Sequence, residues 1–220
     1  SEMCIRDRQY AFAVDWSFMG QPLLEESADT EIKDRPHFSA GIQMMTSGPT
    51  SHWSNIAMVY LKAISNAKRC VFIQTPYFLP TESLLRTLQT VALSKVDVRI
   101  MLPAKSDSAI LNYASYSYIK ECLLAGIKVY LYEGGMLHAK TIIVDDEFVS
   151  VGSTNIDFRS FEHNFESNVF IYSHEVNHRM REIFLDDLNQ CSRINSTSWN
   201  KRPTSQKVKE SIFRLLSPVL

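Results

Sequence analysis

Strand and helix patterns alternate through the middle of this chain, and that alternation constrains the fold more than any other feature. Three apolar runs have strand length, RCVFIQT, VDVRIML and IKVYLY. A helix capped by Thr81 separates the first two, and a helix that opens at Asp107 or Ser108 and ends at Gly126 separates the last two. Strand–helix–strand–helix–strand order requires right-handed crossovers, so it predicts a parallel sheet covered by helices.

The elements on either side of this unit complete the predicted fold. A helix over about 52–68 precedes the first strand, and the hairpin LHAKTIIVDDEFVSVGSTN follows the last one. The strand FESNVFIY and a helix over about 174–190 come next. Short turns between the later strands indicate antiparallel pairing. We therefore predict an α/β fold whose mixed parallel and antiparallel sheet has helices on both faces.

Composition limits the classes of function. The 220 residues carry a net charge of −1, so no overall basic field favours nucleic acid as a partner. The four cysteines are widely spaced without a CxxC pair, which indicates reduced thiols rather than a zinc site or a disulfide framework. No apolar run reaches the ~18 residues that a membrane-spanning helix needs.

The chain divides into three predicted regions. Residues 1–50 are expected to be an irregular N-terminal segment, 51–195 a catalytic lobe, and 196–220 a tail. The start SEMCIRDR joins no apolar pattern, and we expect the chain to be a fragment of a longer protein. The tail can form a helix with an apolar side and three basic residues elsewhere, which suits either an anionic lipid surface or docking onto its own domain.

The hairpin carries the polar residues that suggest chemistry. His138 and Lys140 point to the same face, because side chains alternate along a strand. A turn near Asp146 would place Ser153 and Asn155, at the end of the return strand, close to His138. Asp145 lies roughly 23 Å along the strand from His138, so we expect it to shape the turn or bind backbone amides instead.

Glu166 is the best candidate for the carboxylate that orients His138. It begins a neighbouring strand, where it could fix the tautomer of the imidazole and leave the other nitrogen free to attack or to donate a proton. Lys140, Ser153 and Asn155 would then stabilise the developing charge on a phosphoryl group without any metal. The set suits phosphodiester chemistry through a phosphohistidine, and it predicts no cofactor.

Three further residues are candidates for substrate binding or support. Tyr77 follows the end of a predicted strand, where open α/β sheets place their ligands, although a packed aromatic is equally possible. Asn164 and Asn168 share a strand face with Glu166.

The segment HEVNH at 174–178 matches the helical His-Glu-x-x-His pattern of zinc proteases. Its helix is expected to bury Val176, Met180, Ile183 and Phe184, which places both histidines on the solvent side. We therefore predict no metal site.

His138-x-Lys140, then Asp145 and Gly152-Ser153-x-Asn155, resembles the signature motif of the phospholipase D superfamily. The segments TPYFLPTESLLRTLQTVALSKVDVRIMLPAKSDS and SFEHNFESNVFIY are similar to the second half of bacterial cardiolipin synthases. The resemblance implies a phospholipase D-like lobe of a two-lobed enzyme, with His138 as nucleophile or general acid and Glu166 in support. It also implies phosphatidylglycerol as substrate and a place at the cytoplasmic face of the cell membrane.

Family members use two such motifs that face one phosphate, and this chain contains one. The expectation is that a missing N-terminal lobe supplies the second, together with membrane helices. Three functions stay open: phosphatidyl transfer that makes cardiolipin, a phosphodiesterase or nuclease that acts as a homodimer, and an inactive fragment.

Overall fold

A computed structural model of the chain describes residues 2–22 and 40–217. The helices are α1 Glu2–Phe18, α2 Asn55–Ser65, α3 Glu82–Leu93, α4 Ala109–Leu124, α5 Phe158–Glu162, α6 His174–Asp187, α7 Ser196–Asn200 and α8 Thr204–Leu215, with a short 3-10 turn at Leu188–Gln190. The strands are β1 Gly41–Ser47, β2 Cys70–Gln74, β3 Phe78–Leu79, β4 Asp97–Pro103, β5 Lys128–Tyr132, β6 Thr141–Val144, β7 Phe148–Gly152, β8 Ile156–Asp157, β9 Glu166–Tyr172 and β10 Cys191–Arg193.

Eight of these strands form one mixed sheet in the order β1-β9-β7-β6-β2-β4-β5-β10. β2, β4 and β5 are parallel neighbours joined by α3 and α4, whereas the pairs on either side of them are antiparallel. β3 and β8 form a separate two-stranded parallel pair. The predicted α/β fold with a mixed sheet is confirmed.

Helices cover both faces of the sheet, as β2 illustrates. Its Val71 and Ile73 pack into the larger core, together with side chains of α2, α3 and α4. The alternate residue Phe72 points to the other face, where its ring stacks on Phe184 of α6 at 4.8 Å. The strand is buried on both sides, which explains why its sequence is an unbroken apolar run.

The local signals for α3 and α4 are confirmed. The Thr81 hydroxyl accepts a hydrogen bond from the backbone N–H of Leu84, and Ser108, rather than Asp107, caps α4. Gly126 follows α4 with φ of +89°, a conformation that L side chains rarely adopt. The apolar face predicted for α3 is buried throughout, at Leu84, Leu85, Leu88, Val91 and Ala92.

The prediction of an irregular segment over residues 1–50 is wrong for residues 2–18 and 41–47. Residues 2–18 are helical, and β1 pairs with β9 along its whole length, from Gly41 opposite Tyr172 to Ser47 opposite Glu166. The sheet therefore begins at residue 41 rather than after residue 50. The part of that prediction on residue 1 and residues 23–39 lies outside the described residues.

The C-terminal tail contains two helices that dock on α4. Phe213 stacks on Tyr113 with ring centroids 5.8 Å apart, and the guanidinium of Arg214 pairs with Glu121. The tail is thus attached to its own domain as far as residue 217, while residues 218–220 lie outside the described part of the chain. None of the described helices is long and apolar enough to cross a membrane.

Candidate active site

The register of the β6–β7 hairpin agrees with the one predicted from the acidic turn. Thr141 pairs with Val151, and the backbone N–H of Gly152 donates to the carbonyl of Lys140 at 3.3 Å. His138 and Lys140 lie in the extended segment just before β6 rather than within a strand. The motif histidine therefore stands at the end of the hairpin where Ser153 and Asn155 follow β7.

Gly152 permits the close approach of β9 at this point. A Cβ atom added to Gly152 would stand 2.3 Å from Cγ of Asn168 and 2.5 Å from the carbonyl oxygen of Ser167. Any side chain at this position would therefore push β9 away. The glycine of the motif is needed for packing.

His138 and Lys140 contact each other directly. The ammonium Nζ of Lys140 lies 2.9 Å from Nδ1 and 3.4 Å from Nε2 of the His138 imidazole, and it donates to the His138 carbonyl at 2.8 Å. Which ring nitrogen accepts depends on the tautomer. A phosphate oxygen next to this imidazole would also lie next to a cation.

Burial lowers the pKa of the Lys140 ammonium below its ordinary value. The negative charges of Glu166, Asp157 and Asp107 act in the opposite direction and favour the charged lysine. Carboxylates from three separate segments therefore act on the charge of Lys140.

Glu166 is nearly buried, and its contacts differ from those we expected. Its carboxylate accepts hydrogen bonds from the Ser153 hydroxyl and from the Asn164 side-chain amide, the latter at 3.2 Å. Ser153 also accepts from the backbone N–H of Ser167 at 3.0 Å. These hydrogen bonds of Glu166 hold the Gly152-Ser153 segment against β9. Direct orientation of His138 by Glu166 stays a prediction.

Asn155 is held by the start of α5. Its Nδ2 donates to the Ser160 hydroxyl at 3.4 Å, while its Oδ1 is buried and has no hydrogen-bond partner in the described part of the chain. Asp157 caps the same helix by accepting from the Ser160 N–H at 2.6 Å, and burial raises the pKa of its carboxyl. Sequence reasoning missed Asp157 and Ser160, although aspartate is one of the preferred N-cap residues of helices.

Asn168 is a buried structural residue, and the prediction that it binds substrate is wrong. It has no exposed surface, and its Oδ1 accepts from the Thr154 hydroxyl at 2.6 Å. Its Nδ2 donates to the Tyr60 hydroxyl at 2.6 Å and to the Ser150 hydroxyl at 3.0 Å. These bonds tie β7, β9 and α2 together and leave no polar atom of the side chain for a ligand.

Tyr77 lies at the predicted edge, where β2 ends, and it has a specific partner. Its hydroxyl donates to both carboxylate oxygens of Asp107, at 2.7 and 2.9 Å. Burial and this carboxylate raise the pKa of Tyr77 to about 12, and the tyrosine hydrogen bond lowers the pKa of Asp107. Asp107 was expected only as a possible helix cap. It follows β4, the parallel neighbour of β2, and its negative charge favours the charged form of Lys140.

Asp145 occupies the far end of the hairpin, where it binds backbone amides. Its carboxylate accepts from the N–H groups of Lys68, Arg69 and Cys70 at 2.8, 2.8 and 2.9 Å, and its own N–H donates to the Cys70 carbonyl at 2.9 Å. Its φ is +51°, in the left-handed region that Asp tolerates better than most residues. The residue joins the turn to the start of β2.

The histidines of HEVNH stand on α6 away from this site. The His178 side chain is 73% exposed, with Nδ1 at 3.8 Å from the Glu182 carboxylate. Over the described residues no group of three His, Cys, Asp or Glu side chains is close enough to hold a metal ion. The predicted burial was right for Phe184 and wrong for Ile183, which is 40% exposed.

Comparison with known sequences gives consistent matches. The family described as "Cardiolipin synthase, PLD-like domain" matches residues 60–188. A cardiolipin synthase of Clostridium perfringens strain SM101 is 41% identical over 99% of this chain and 47% of its own length. The major cardiolipin synthase of Bacillus subtilis strain 168 is 48% identical over 84% of this chain and 38% of its own length. The chain thus spans about half the length of the curated relatives it matches.

Solved structures share the fold. The phospholipase D family member Nuc of Salmonella typhimurium has a TM-score of 0.60 and 24% identity, covering 71% of this chain and 99% of Nuc. A phosphatidylserine synthase of Haemophilus influenzae has a TM-score of 0.66 and 16% identity, covering 82% of this chain and 48% of that protein. At these identities the likeness concerns the fold.

Proposed function

This chain belongs to the cardiolipin synthase family with a phospholipase D-like domain, and we propose that it supplies half of the active site of a phosphatidyltransferase. The reaction joins two phosphatidylglycerol molecules into cardiolipin and releases glycerol. The observation that supports it best is the contact between His138 and Lys140, beside the Gly-Ser-x-Asn segment. Imidazole and ammonium are the nucleophile and the cation that a phosphoryl group requires.

The first chemical step exchanges one phosphodiester bond for a phosphoramidate. An imidazole nitrogen, of His138 or of its counterpart, attacks the phosphorus of one phosphatidylglycerol and forms an N–P bond. The P–O bond to the headgroup glycerol breaks, and that oxygen takes a proton from the second histidine of the pair. In the second step the headgroup hydroxyl of another phosphatidylglycerol attacks phosphorus, gives its proton to that histidine, and releases the first imidazole.

The residues around His138 have separate roles in this proposal. Lys140 neutralises charge on the non-bridging phosphate oxygens, which is the kind of fixed electrostatic stabilisation that speeds phosphoryl transfer most. Ser153 and Asn155 lie beside the same phosphate. Glu166, with Asn164, positions the Ser153 turn and orients the imidazole when substrate is bound.

A second motif must complete the site, because general acid help is worth about 10²- to 10⁴-fold and one histidine cannot both attack and protonate the leaving oxygen. We propose that a preceding lobe of the same protein supplies it. The partners are then that lobe and an anionic phospholipid surface at the cytoplasmic face of the cell membrane. No metal or cofactor takes part.

The experiment offers the complete protein several acceptors and identifies the products. Vesicles of phosphatidylglycerol should yield cardiolipin and glycerol in equal amounts, with little phosphatidic acid, and exhaustive chelation should leave the rate intact. A soluble phosphodiester dye and DNA serve as competing substrates. Faster turnover of DNA or dye than of phosphatidylglycerol, by a homodimer of this chain, would replace the transferase with a phosphodiesterase or nuclease.

A further inference from the structure

The C-terminal helix α8 presents an apolar stripe to solvent although it is docked on the domain. Val208, Ile212 and Leu215 recur at spacings of four and three residues and are 51%, 54% and 81% exposed. This spacing places them on one side of a helix. The residues that attach α8 to α4, namely Phe213 and Arg214, point the other way.

The docking contacts of α8 fix which side faces outward. Glu210 is 4% exposed and accepts from the Arg202 guanidinium, with Nη2–Oε2 at 3.0 Å. The Arg202 guanidinium in turn covers the Trp199 ring at 3.3 Å. An ion pair with so little exposure and an aromatic partner orients the helix, so the apolar stripe is a fixed feature of the surface.

Lysines flank the stripe. At 100° per residue, Lys207 falls on one side of the Val208–Ile212–Leu215 line and Lys209 on the other. The acidic residue within Thr204–Leu215 is Glu210, which is paired and turned inward. Lys207 donates to the Asn200 carbonyl at 2.6 Å and Lys209 lies 6.0 Å from the Tyr113 ring centroid, so the two ammonium groups border the apolar stripe rather than lie within it.

We propose that this surface of α8, the stripe Val208–Ile212–Leu215 with Lys207 and Lys209, seats the protein on an anionic lipid bilayer. Helices with an apolar face and flanking lysines lie in the interface plane, with apolar side chains among the acyl chains and ammonium groups near lipid phosphates. The inference deepens the proposed function by naming the surface that holds the enzyme at its lipid substrate.

A second copy of the chain fits this surface less well. In an isologous dimer the same patch meets itself, so the lysines on both sides of the stripe would face lysines of the partner. An anionic bilayer offers the opposite charge. The charge pattern therefore favours lipid over self-association.

The test measures binding of the 220-residue chain to vesicles by flotation, without any turnover. The chain should float with vesicles that contain phosphatidylglycerol and bind weakly to pure phosphatidylcholine, and added salt should weaken binding because it screens the lysines. The double variant Ile212→Glu, Leu215→Glu should bind at least about tenfold more weakly, or about 1.4 kcal/mol.

Matched controls keep the result interpretable. Leu93→Glu places one glutamate at a 64% exposed leucine on α3, matches the single variant Val208→Glu in charge, and should bind as the parent chain does. Lys209→Gln tests the charge separately and should reduce the salt dependence. Thermal unfolding of each variant checks that it is folded. If the double variant does not fold, the single variant Val208→Glu replaces it in the vesicle-binding assay.

Three outcomes overturn the proposal. In the first, the stripe variants bind vesicles as well as the parent chain does. In the second, Leu93→Glu loses as much vesicle binding as the stripe variants. In the third, the parent chain is a dimer that does not bind vesicles, and the stripe variants dissociate that dimer. Because no turnover is measured, a failure here leaves the proposed transfer reaction untouched. Cardiolipin synthesis that fails while vesicle binding persists would instead refute the proposed function alone.

Discussion

Replacing Asp145 by asparagine should destabilise the domain, although this residue belongs to the motif and stands far from His138. Its carboxylate accepts three backbone N–H groups at 2.8–2.9 Å from the residues that lead into β2. Asparagine keeps the shape, tolerates φ of +51°, and retains one acceptor oxygen. Its amide nitrogen, however, takes the place of the oxygen that accepts from the Lys68 N–H, and the bonds from Arg69 and Cys70 lose their charged acceptor.

The magnitude follows from these contacts. Hydrogen bonds to a charged group contribute about 1.5–3 kcal/mol each to the free energy of unfolding. The N–H groups of Lys68 and Arg69 are near solvent and can bond to water instead, whereas that of Cys70 begins a central strand. We therefore expect Asp145→Asn to lower the free energy of unfolding by about 2–4 kcal/mol.

The assay is denaturant unfolding of the 220-residue chain, where the midpoint should fall without a change in slope. Asp146→Asn is the matched control. Asp146 is 42% exposed and meets the Arg69 and Arg181 guanidinium groups, contacts of a kind that contribute about 0–1 kcal/mol. Equal losses in the two variants, or a loss below about 0.5 kcal/mol for Asp145→Asn, would refute this reasoning.

Further predictions concern the residues that the structure reassigned. Asn168→Ala should destabilise the fold by about 1–3 kcal/mol, because it removes the acceptor of the buried Thr154 hydroxyl and the donor to Tyr60 and Ser150, while the KM of the folded complete protein stays unchanged. Gly152→Ala should be at least as harmful in the same unfolding assay, since its Cβ would stand 2.3 Å from Asn168. Asp107→Asn should lower the pKa of Tyr77 from about 12 toward its ordinary value of 10.0, as NMR of labelled tyrosine would show. Because folding raises this pKa, the stability contributed by the neutral Tyr77 is present below pH 10.0 and is lost as the pH rises through about 12. If the proposed second lobe supplies the other motif, a verified monomer of the 220-residue chain should be nearly inactive, and co-expression of that lobe should restore the proposed transfer.

The sequence predicted best those elements whose signals come from neighbouring residues. The apolar runs of β2, β4 and β5 and the cap at Thr81 each depend on a few neighbouring residues. The hairpin register followed from the position of the acidic turn, because a two-residue period fixes every later pair.

Long-range contacts account for what the sequence left undetermined. β1 pairs with β9 across more than half of the chain, and its sequence GIQMMTS lacks the strict alternation that predicts a strand. The hydrogen bond between Tyr77 and Asp107 joins segments that follow β2 and β4, and it depends on the parallel pairing of these two strands. Such contacts are consequences of the fold.

Buried polar residues were the other source of error. Asn168 shares a strand face with Glu166, which suggested a shared role, yet its side chain is fully buried beneath the site. A polar residue on a strand can serve a ligand or a hydrogen-bond network inside the core, and the pattern of the strand is the same in both cases. Its partners Tyr60 and Ser150 come from other elements.

The measurement that tests the central claim most directly is cardiolipin formation from phosphatidylglycerol vesicles by the complete protein and its His138→Ala variant. Covalent transfer has no substitute for this imidazole, so turnover should fall by about 10³-fold or more in a variant whose folding is verified. Near-normal cardiolipin formation by the folded His138→Ala protein would contradict the account.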